Sequence, residues 1–424
     1  MNSRPPRRSG ASVSPASSTR AERYKQGVGL RRKTPREKHA DLLGPADRDP
    51  VAILAAGDRT RVPELIPVRY ERMLASPFAF LRGAAAVMAE DLRHQPTAGI
   101  AVQACGDCHL MNFGVFATPE ENILFDINDF DETLPGVDVT IDLKRLAASV
   151  AVAALAAAFS TKRARAAVAT TVEAYRTRIR ALAKLSPLQI WHSRIELASE
   201  VKDIEDRALR RQLLAILTKA GKKLEQDDNF PHLIKGGQAR IADNPPLIYH
   251  FTPKSDARHR VNAERMFASY QKRLPPERLC LFERYLLRDI AFKAVGVGSV
   301  GTFCAIGLFT GSDGASLFLQ VKEAGKSVLE CLGPKFGGEP GRRVVEGQRT
   351  MQAASDIFLG WTQDDASGRH FYVRQLKNRR LGSISDLVEE NALVNYARLC
   401  GRTRARSHGR SSCARRIHGK ERRL

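Results

Sequence analysis

A glycine-rich segment, Val295–Thr302, constrains the fold of this chain more than any other part of its sequence. It matches the pattern G-x-G-x-x-G, which lets a backbone approach phosphate groups closely. A dinucleotide-binding fold requires a helix directly after the last glycine, whereas Thr302–Phe309 is rich in strand-forming residues. The segment therefore predicts a turn between two strands that lies over phosphates, and a plain glycine-rich hairpin is the alternative. The candidate nucleotide-binding residues of this turn are Gly296, Gly298, Ser299 and Gly301.

Two charged residues downstream are further candidates for the nucleotide site. Lys322 ends the apolar strand predicted at 317–322, and a lysine on such a strand contacts the α- and β-phosphates in protein kinases. Glu346 lies in a helix predicted from Arg342 to Phe358, where it is expected to pair with Lys322 as a helix glutamate does in kinases. A solvated lysine and an exposed helical glutamate are the ordinary alternatives.

An aspartate and an asparagine stand five residues apart in the loop Gly106–Asn112, which follows a strand predicted at 99–104. In kinase-type phosphotransfer, an aspartate at this spacing accepts the proton of an attacking hydroxyl group, and the asparagine holds a metal ion. We therefore predict that Asp107 is the catalytic base and Asn112 a metal ligand. Both residue types also serve in turns and caps.

A second predicted strand, Asn122–Asn128, runs into the acidic segment Phe125–Glu132. Magnesium binds hard oxygen ligands such as carboxylates. Asp126 and Asp129 are the candidate ligands in this segment, and the alternative is a solvated acidic turn. The expected cofactors are thus ATP and Mg²⁺.

The stretch Cys105–His109 also reads C-x-x-C-H, the pattern for covalent haem attachment. Haem attachment needs an exported protein, and no apolar leader follows Arg7 and Arg8. A zinc site would need a second ligand pair nearby. The seven cysteines are odd in number and scattered, which favours a reducing cytoplasm.

The net charge of +22 is concentrated at the two ends of the chain. Residues 1–40 hold 11 basic against 2 acidic residues, and residues 401–424 hold 9 against 1. Nucleic-acid contact is therefore expected only through these tails. The longest apolar run, Leu146–Phe159, is shorter than the roughly twenty residues of a membrane-spanning helix.

The loop Gly106–Asn112 resembles the G-D-x-H-x-x-N catalytic loop of aminoglycoside phosphotransferases and choline kinases, and Asn128–Asp131 resembles their metal-binding segment. From about residue 60 to 400 the chain resembles the bacterial domain of unknown function 2252, a family grouped with kinase-like proteins. The segments that carry this resemblance are Ser76–Gly83, Gly106–Gly114, Asp126–Glu132, Gly296–Gly301, Val321–Ala324 and Arg343–Gly360. The resemblance implies that Asp107 is the base, with His109 beside it, that Asn112 and Asp129 bind metal, and that Lys322 binds phosphate.

Kinases place the glycine loop and lysine before the catalytic loop, whereas here they follow it. We therefore expect a two-lobed, α+β, kinase-like fold that is circularly permuted, with the catalytic-loop lobe first. The predicted divisions are a disordered basic segment (1–60), a mainly helical catalytic-loop lobe (61–290), a β-rich nucleotide lobe (291–380), a helix (381–400) and a basic low-complexity tail (401–424) that departs from the family pattern.

The function expected from the sequence is ATP- and Mg²⁺-dependent transfer of phosphate to an unidentified hydroxyl group on a small molecule or protein. The alternative is an inactive, pseudokinase-like nucleotide-binding module whose basic tails contact nucleic acid or anionic surfaces.

Overall fold

The computed structural model of the protein describes residues 18–45, 47–120, 122–204, 206–220, 231–234, 239–250, 261–294, 296–333, 335–376 and 390–411. Helices and antiparallel sheets are both present, which confirms the predicted α+β class. The described helices are α1 (Arg20–Lys33), α2 (Pro50–Asp58), α3 (Ile66–Leu74), α4 (Pro77–Gly83), α5 (Ala85–Arg93), α6 (Val139–Ala156), α7 (Thr161–Leu182), α8 (Pro187–His192), α9 (Leu197–Glu200), α10 (Arg207–Ala220), α11 (Ala263–Lys272), α12 (Pro276–Phe282), α13 (Pro340–Met351) and α14 (Glu390–Ser411).

The described strands form two small sheets and one large one. The strands are β1 (Ala101–Ala104), β2 (Phe113–Ala117), β3 (Ile123–Ile127), β4 (Leu134–Asp138), β5 (Ile248–Tyr249), β6 (Tyr285–Lys293), β7 (Cys304–Gly311), β8 (Ser316–Glu323), β9 (Gly360–Asp364) and β10 (Arg369–Gln375). The large sheet has the order β5-β6-β7-β8-β10-β9, and β1 pairs with β4 and β2 with β3.

Both faces of the six-stranded sheet are covered. Along β8, Leu317, Leu319 and Val321 belong to one apolar cluster, whereas Phe318 belongs to a cluster on the other face. This alternation follows from the two-residue period of a strand. The predicted strands at residues 302–309 and 317–322 are observed with shifts of one or two residues.

Strand β6 lies where the sequence predicts mainly helical structure. A bulge between Leu287 and Asp289 shifts its pairing with β7. The bulge interrupts the apolar alternation that would otherwise mark a strand. The six-stranded sheet therefore includes residues 248–249 and 285–293. It begins earlier in the chain than the β-rich region predicted from residue 291.

Local capping chemistry sets the helices that lead to the site. Ser76 Oγ accepts a hydrogen bond from the Ala79 amide at 3.1 Å, and Pro77 is the first residue of α4. Serine at the N-cap and proline at the first helical position are a common start of a helix. The chain after Ser76 forms two helices, α4 and α5, which are divided at Ala84.

The C-terminal helix packs into the helical part of the molecule, against α7 and α6. Helix α14 covers residues 390–400 of the helix predicted at 381–400, whose residues 381–389 lie outside the described part of the chain, and it continues to Ser411 with a largely buried surface. Residues 401–411, predicted as part of a low-complexity tail, are therefore helical. Residues 412–424 and the first 17 residues lie outside the described part of the chain.

Two described helices also lie within the first 60 residues, for which the sequence predicts disorder. They are α1 and α2, and no residue of α1 is buried. None of the helices in the described ranges has the length and apolar character needed to cross a membrane.

Candidate functional site

The loop between β1 and β2 is held by one buried carboxylate at the start of α6. Asp142 accepts hydrogen bonds from the amides of Cys105 and Gly106, each at 3.0 Å. Gly106 adopts a φ of +91°, and a Cβ atom there would lie 2.4 Å from the carbonyl oxygen of Glu132. Only glycine fits this close approach. The loop is thereby fixed against the acidic segment that follows β3.

Asp107 lies between the side chains of Arg145 and His109. Its Oδ1 accepts from Arg145 Nη2 at 2.7 Å and Nε at 3.0 Å, and its Oδ2 lies 3.5 Å from His109 Nε2. The Met111 amide donates to His109 Nδ1 at 3.1 Å, so the ring proton of a neutral His109 is on Nε2, facing Asp107. Burial would raise the pKa of Asp107, but His109 and Arg145 outweigh it and hold that pKa well below its usual range. Asp107 is therefore an ionised, oriented acceptor.

Asn112 links this loop to the acidic segment. Its side-chain amide donates to the backbone carbonyl of Asp107. Its backbone carbonyl accepts from the backbone amide of Asn128 at 2.8 Å. The pairing of Phe113 with Ile127 continues the contact along β2 and β3. Asp107, Asn112 and the residues after Ile127 thus lie in one region.

The acidic segment meets the six-stranded sheet through Asp131. Lys322 Nζ forms an ion pair with Asp131 Oδ2, and Tyr372 donates its hydroxyl to Asp131 Oδ1 at 2.7 Å. Lys322 and Tyr372 stand opposite each other in the pairing of β8 with β10, so both side chains lie on the same face. Asp129 accepts from the Asp131 amide at 3.1 Å. Two carboxylates therefore lie beside one lysine.

The Lys322 side chain is only 5% exposed. Burial would lower the pKa of Lys322 and raise that of Asp131, but the attraction between the two charges outweighs both effects. The lysine pKa is thus raised, the aspartate pKa is lowered, and both groups are charged.

Ser299 of the glycine segment completes this contact. Lys322 Nζ donates to Ser299 Oγ at 3.1 Å, and Ser299 Oγ lies 3.3 Å from Asp131 Oδ2. The segment connects β6 to β7, as predicted for a turn between strands. Residues 131, 299 and 322, which are far apart in the chain, meet at one point.

The glycines of this turn are required by its shape and its packing. Gly296 and Gly301 have φ angles of +71° and +88°. A Cβ atom at Gly298 would lie 3.0 Å from the carbonyl oxygen of Arg82. The amide of Val62 donates to the Gly301 carbonyl at 2.8 Å. Contacts with the N-terminal part of the chain therefore hold the turn in place beside Lys322.

Two predicted site residues have partners outside this junction. Asp126 is fully buried, and its oxygens accept from Arg406 and from the Ala353 amide at 2.8 Å. Glu346 accepts from Arg342 Nε at 2.7 Å, one helical turn away, whereas Lys322 forms its ion pair with Asp131. These contacts favour Asp129 over Asp126 as a metal ligand.

Several residues of the site were not selected from the sequence. Arg343 donates to the carbonyls of Asp131 and Gly325, at 2.8 and 2.9 Å, and is 2% exposed. Its neighbour Arg342 is half-exposed, and no local pattern separates the two. Asp131 has a clearer signal, because it lies two residues after Asp129 in the same acidic turn. The others are Arg145, Tyr372 and Arg404.

Glu132 adds a titratable group to the site. Its carboxylate accepts from the Val328 amide at 2.7 Å. Burial raises its pKa to about 7 against the opposing effect of Arg343, and the nearby Asp131 and Asp107 add to the rise.

The fold and the site together define an α+β protein with a buried lysine–aspartate pair where its acidic segment meets a six-stranded sheet. The family model described as "Uncharacterized protein conserved in bacteria (DUF2252)" matches residues 61–423, and the chain belongs to this family. The matched range extends beyond the predicted limit of the resemblance at about residue 400 and includes the arginine-rich C-terminal residues to 423. No curated protein and no solved structure matches the chain.

Proposed function

We propose that this protein is a kinase-like phosphotransferase that binds ATP and Mg²⁺ and transfers phosphate to a hydroxyl group. The observation that carries the proposal is the meeting of Ser299, Lys322 and Asp131. A glycine-rich turn, a strand lysine and an acidic turn are the three parts that hold nucleotide phosphates and metal in protein kinases.

The donor groups fit the expected cofactors. Lys322 and the backbone of Gly296–Gly301 would hold the phosphates, and Asp129, Asp131 and Asn112 offer the oxygen ligands that Mg²⁺ prefers. Bound ATP would supply the phosphoryl group, and Mg²⁺ would neutralise its charge. Asp126 is left out of this ligand set because Arg406 already compensates its charge.

Asp107 is the proposed base. Its carboxylate is ionised and is oriented by Arg145 and His109, as a proton acceptor must be. Its low pKa implies that it takes the proton only once the acceptor hydroxyl has become acidic by bonding to phosphorus.

The order of elements supports a circularly permuted kinase-like fold. The glycine turn joins β6 to β7, Lys322 is on the next strand, β8, and helix α13 follows. This is the kinase sequence of glycine loop, third-strand lysine and helix, and here it comes after the catalytic loop. One part of the kinase pattern differs here, because Lys322 pairs with Asp131 and not with a helix glutamate.

Ligand-induced thermal shifts test nucleotide binding. ATP with Mg²⁺ is expected to raise the melting temperature of the full chain, because a ligand that binds only the folded state stabilises it. Lys322→Met and Asp131→Asn should each abolish this shift. Lys326→Met, at an exposed lysine four residues away, is the matched control and should keep it. An unchanged melting temperature in the wild type would overturn the assignment.

Turnover is tested separately with labelled ATP and a panel of alcohols. Asp107→Asn is expected to keep the ATP-induced thermal shift and to lose phosphate transfer and ATP hydrolysis. Turnover equal to that of the wild type would exclude Asp107 as the base.

The second candidate is a module that binds nucleotide without transferring phosphate. It is favoured by the pairing of Glu346 with Arg342 in place of the lysine. In that case the wild type and Asp107→Asn would both bind ATP with Mg²⁺ and neither would release ADP.

A further inference from the structure

A cavity of about 520 Å³ lies beside the catalytic loop, between helices α4, α5 and α6. This volume is typical of small-molecule sites. Most of its wall is apolar, and Leu42 and Phe80, which belong to that wall, are 94% and 39% exposed. Exposed apolar side chains at a cavity are costly to hydrate unless a ligand covers them. The wall also includes the apolar residues Leu81, Val87, Met88 and Val152.

The charged groups of the cavity are mainly cationic. Lys144 and Arg145 line it, together with one carboxylate, Asp91. That carboxylate is compensated by Arg48, whose Nε lies 2.8 Å from Asp91 Oδ1. Lys144 Nζ donates to the Pro96 carbonyl, a neutral acceptor, at 3.3 Å. A ligand with a negative head would therefore meet complementary charge.

One wall residue connects this cavity to the site. Arg145 lines the cavity, and the same guanidinium group donates to Asp107 Oδ1 at 2.7 Å and contacts Met88 Sδ at 3.4 Å. Asp107 and a negative group in the cavity would thus compete for one arginine.

We propose that this cavity binds a single-chain amphiphile with an anionic head, and that the bound head draws Arg145 away from Asp107. The apolar chain lies against Leu81, Val87 and Met88, and the head contacts Lys144 and Arg145. The inference does not depend on nucleotide binding, because the cavity and the arginine are defined without it.

The test uses decanoate, decanol and decyltrimethylammonium, which carry different heads on the same chain. Binding to the full chain is measured by calorimetry below the micelle concentration. We expect decanoate to bind about tenfold more tightly than decanol, since one charge–charge contact is worth about 1 kcal/mol or more in a partly dry site. Decyltrimethylammonium should bind most weakly. Equal affinity for the three compounds would overturn the proposal.

Variants locate the site. Lys144→Met should remove the preference for decanoate, whereas Lys162→Met, at an exposed lysine on α7, should keep it. Val152→Trp fills the cavity and should abolish binding, and Val152→Ala should retain it. If the tryptophan variant does not fold, carbon-13 labelled methionine methyl groups give the location in the wild type, because Met88 is in the cavity wall. Decanoate must then shift the Met88 resonance, and a shift confined to other methionines would overturn the site.

The coupling to Asp107 has its own readout. Nitrogen-15 resonances of the arginine side chains report the contacts of Arg145 at a fixed pH, with Arg145→Lys identifying its signal. Saturating decanoate should shift the Arg145 Nε resonance toward its position in Asp107→Asn, because the bound head draws the guanidinium group away from Asp107. An unchanged Arg145 resonance with decanoate bound in the cavity would refute the competition for Arg145.

Discussion

Two arginine-rich helices of this protein have opposite environments. Helix α1 carries Arg31, Arg32 and Lys33 in its last turn and buries no residue. Helix α14 carries Arg404 and Arg406, which are both 0% exposed. The difference lies in the partners, because a buried arginine requires a carboxylate that compensates its charge. Asp142 pairs with Arg404 and Asp126 with Arg406, and both aspartates lie in the first half of the chain.

The buried arginines change how the charge of the chain should be interpreted. Arg402 pairs with Glu200, and the guanidinium group of Arg410 lies 4.0 Å from the centre of the Trp191 ring. The positive charge of Arg404, Arg406 and Arg410 is therefore buried inside the protein, and the nucleic-acid contact predicted for the C-terminal tail stays a prediction.

The largest expected effect is at the Arg404–Asp142 pair. Arg404→Met should lower the free energy of unfolding by about 3–5 kcal/mol, because it leaves Asp142 buried without its counter-charge. Urea denaturation measures this loss. Adding Asp142→Asn should recover part of it, since the uncompensated charge is then gone. A loss below about 1 kcal/mol, as for a surface pair, would contradict the comparison between the helices.

His408, also on α14, gives a pH-dependent prediction. Burial and the adjacent Arg404 lower its pKa from 6.5 to about 4. Between these values the unfolded chain binds a proton that the folded protein does not, so the stability of the wild type falls as the pH decreases from 6.5 to 4. His408→Gln should remove a contribution on the order of 3 kcal/mol to this fall. Denaturation curves at pH 4.5 and 7.5 test it, and parallel curves for both proteins would exclude the assignment.

Glu132 should change the stability with pH in the opposite direction. Because its pKa is raised from 4.5 to about 7, the folded protein holds the proton more tightly, and stability falls as the pH rises through this range. Glu132→Gln should abolish that fall. The stability of the variant relative to the wild type should therefore be greater at pH 8 than at pH 4.5, by on the order of 1–3 kcal/mol. Each variant is compared with the wild type at every pH, since the two slopes oppose each other. A Gln variant with the wild-type pH profile would disprove the raised pKa.

The smallest effect is expected in α1. Arg32→Met, the same change as at Arg404, should alter the free energy of unfolding by less than about 0.5 kcal/mol, because Arg32 is exposed. High salt should reduce even this difference, since exposed charges are screened. A loss similar to that of Arg404→Met would show that α1 is held by contacts of the same kind.

The same contrast explains what could be predicted from the sequence. The cap at Ser76 and Pro77, strand β8 and the turn at Gly296–Gly301 depend on neighbouring residues, and local patterns predict them. Asp126 and Glu346 were chosen on the same local basis, but their partners are Arg406, 280 residues away, and Arg342, one turn away. No local sequence pattern indicates which of several charged residues will form an ion pair with one another.

Lys322 meets the acidic segment through Asp131, whereas the sequence predicts Glu346 as its partner and Asp129 as the metal ligand of that segment. Alternating residues of a turn point in different directions, and the turn geometry after Ile127 is not encoded in a simple period. The kinase-like activity itself stays a prediction until nucleotide binding is measured.

The hydrogen bonds that Asp142 accepts from the amides of Cys105 and Gly106 have a consequence for biosynthesis. Asp142 is compensated by Arg404, so the loop around Asp107 receives its final support from a helix that is translated after the six-stranded sheet. A nascent chain that has emerged only through β10 would have the glycine turn and Lys322 but an unsupported loop around Asp107. The ribosome must therefore release α14 before this loop can be locked in place.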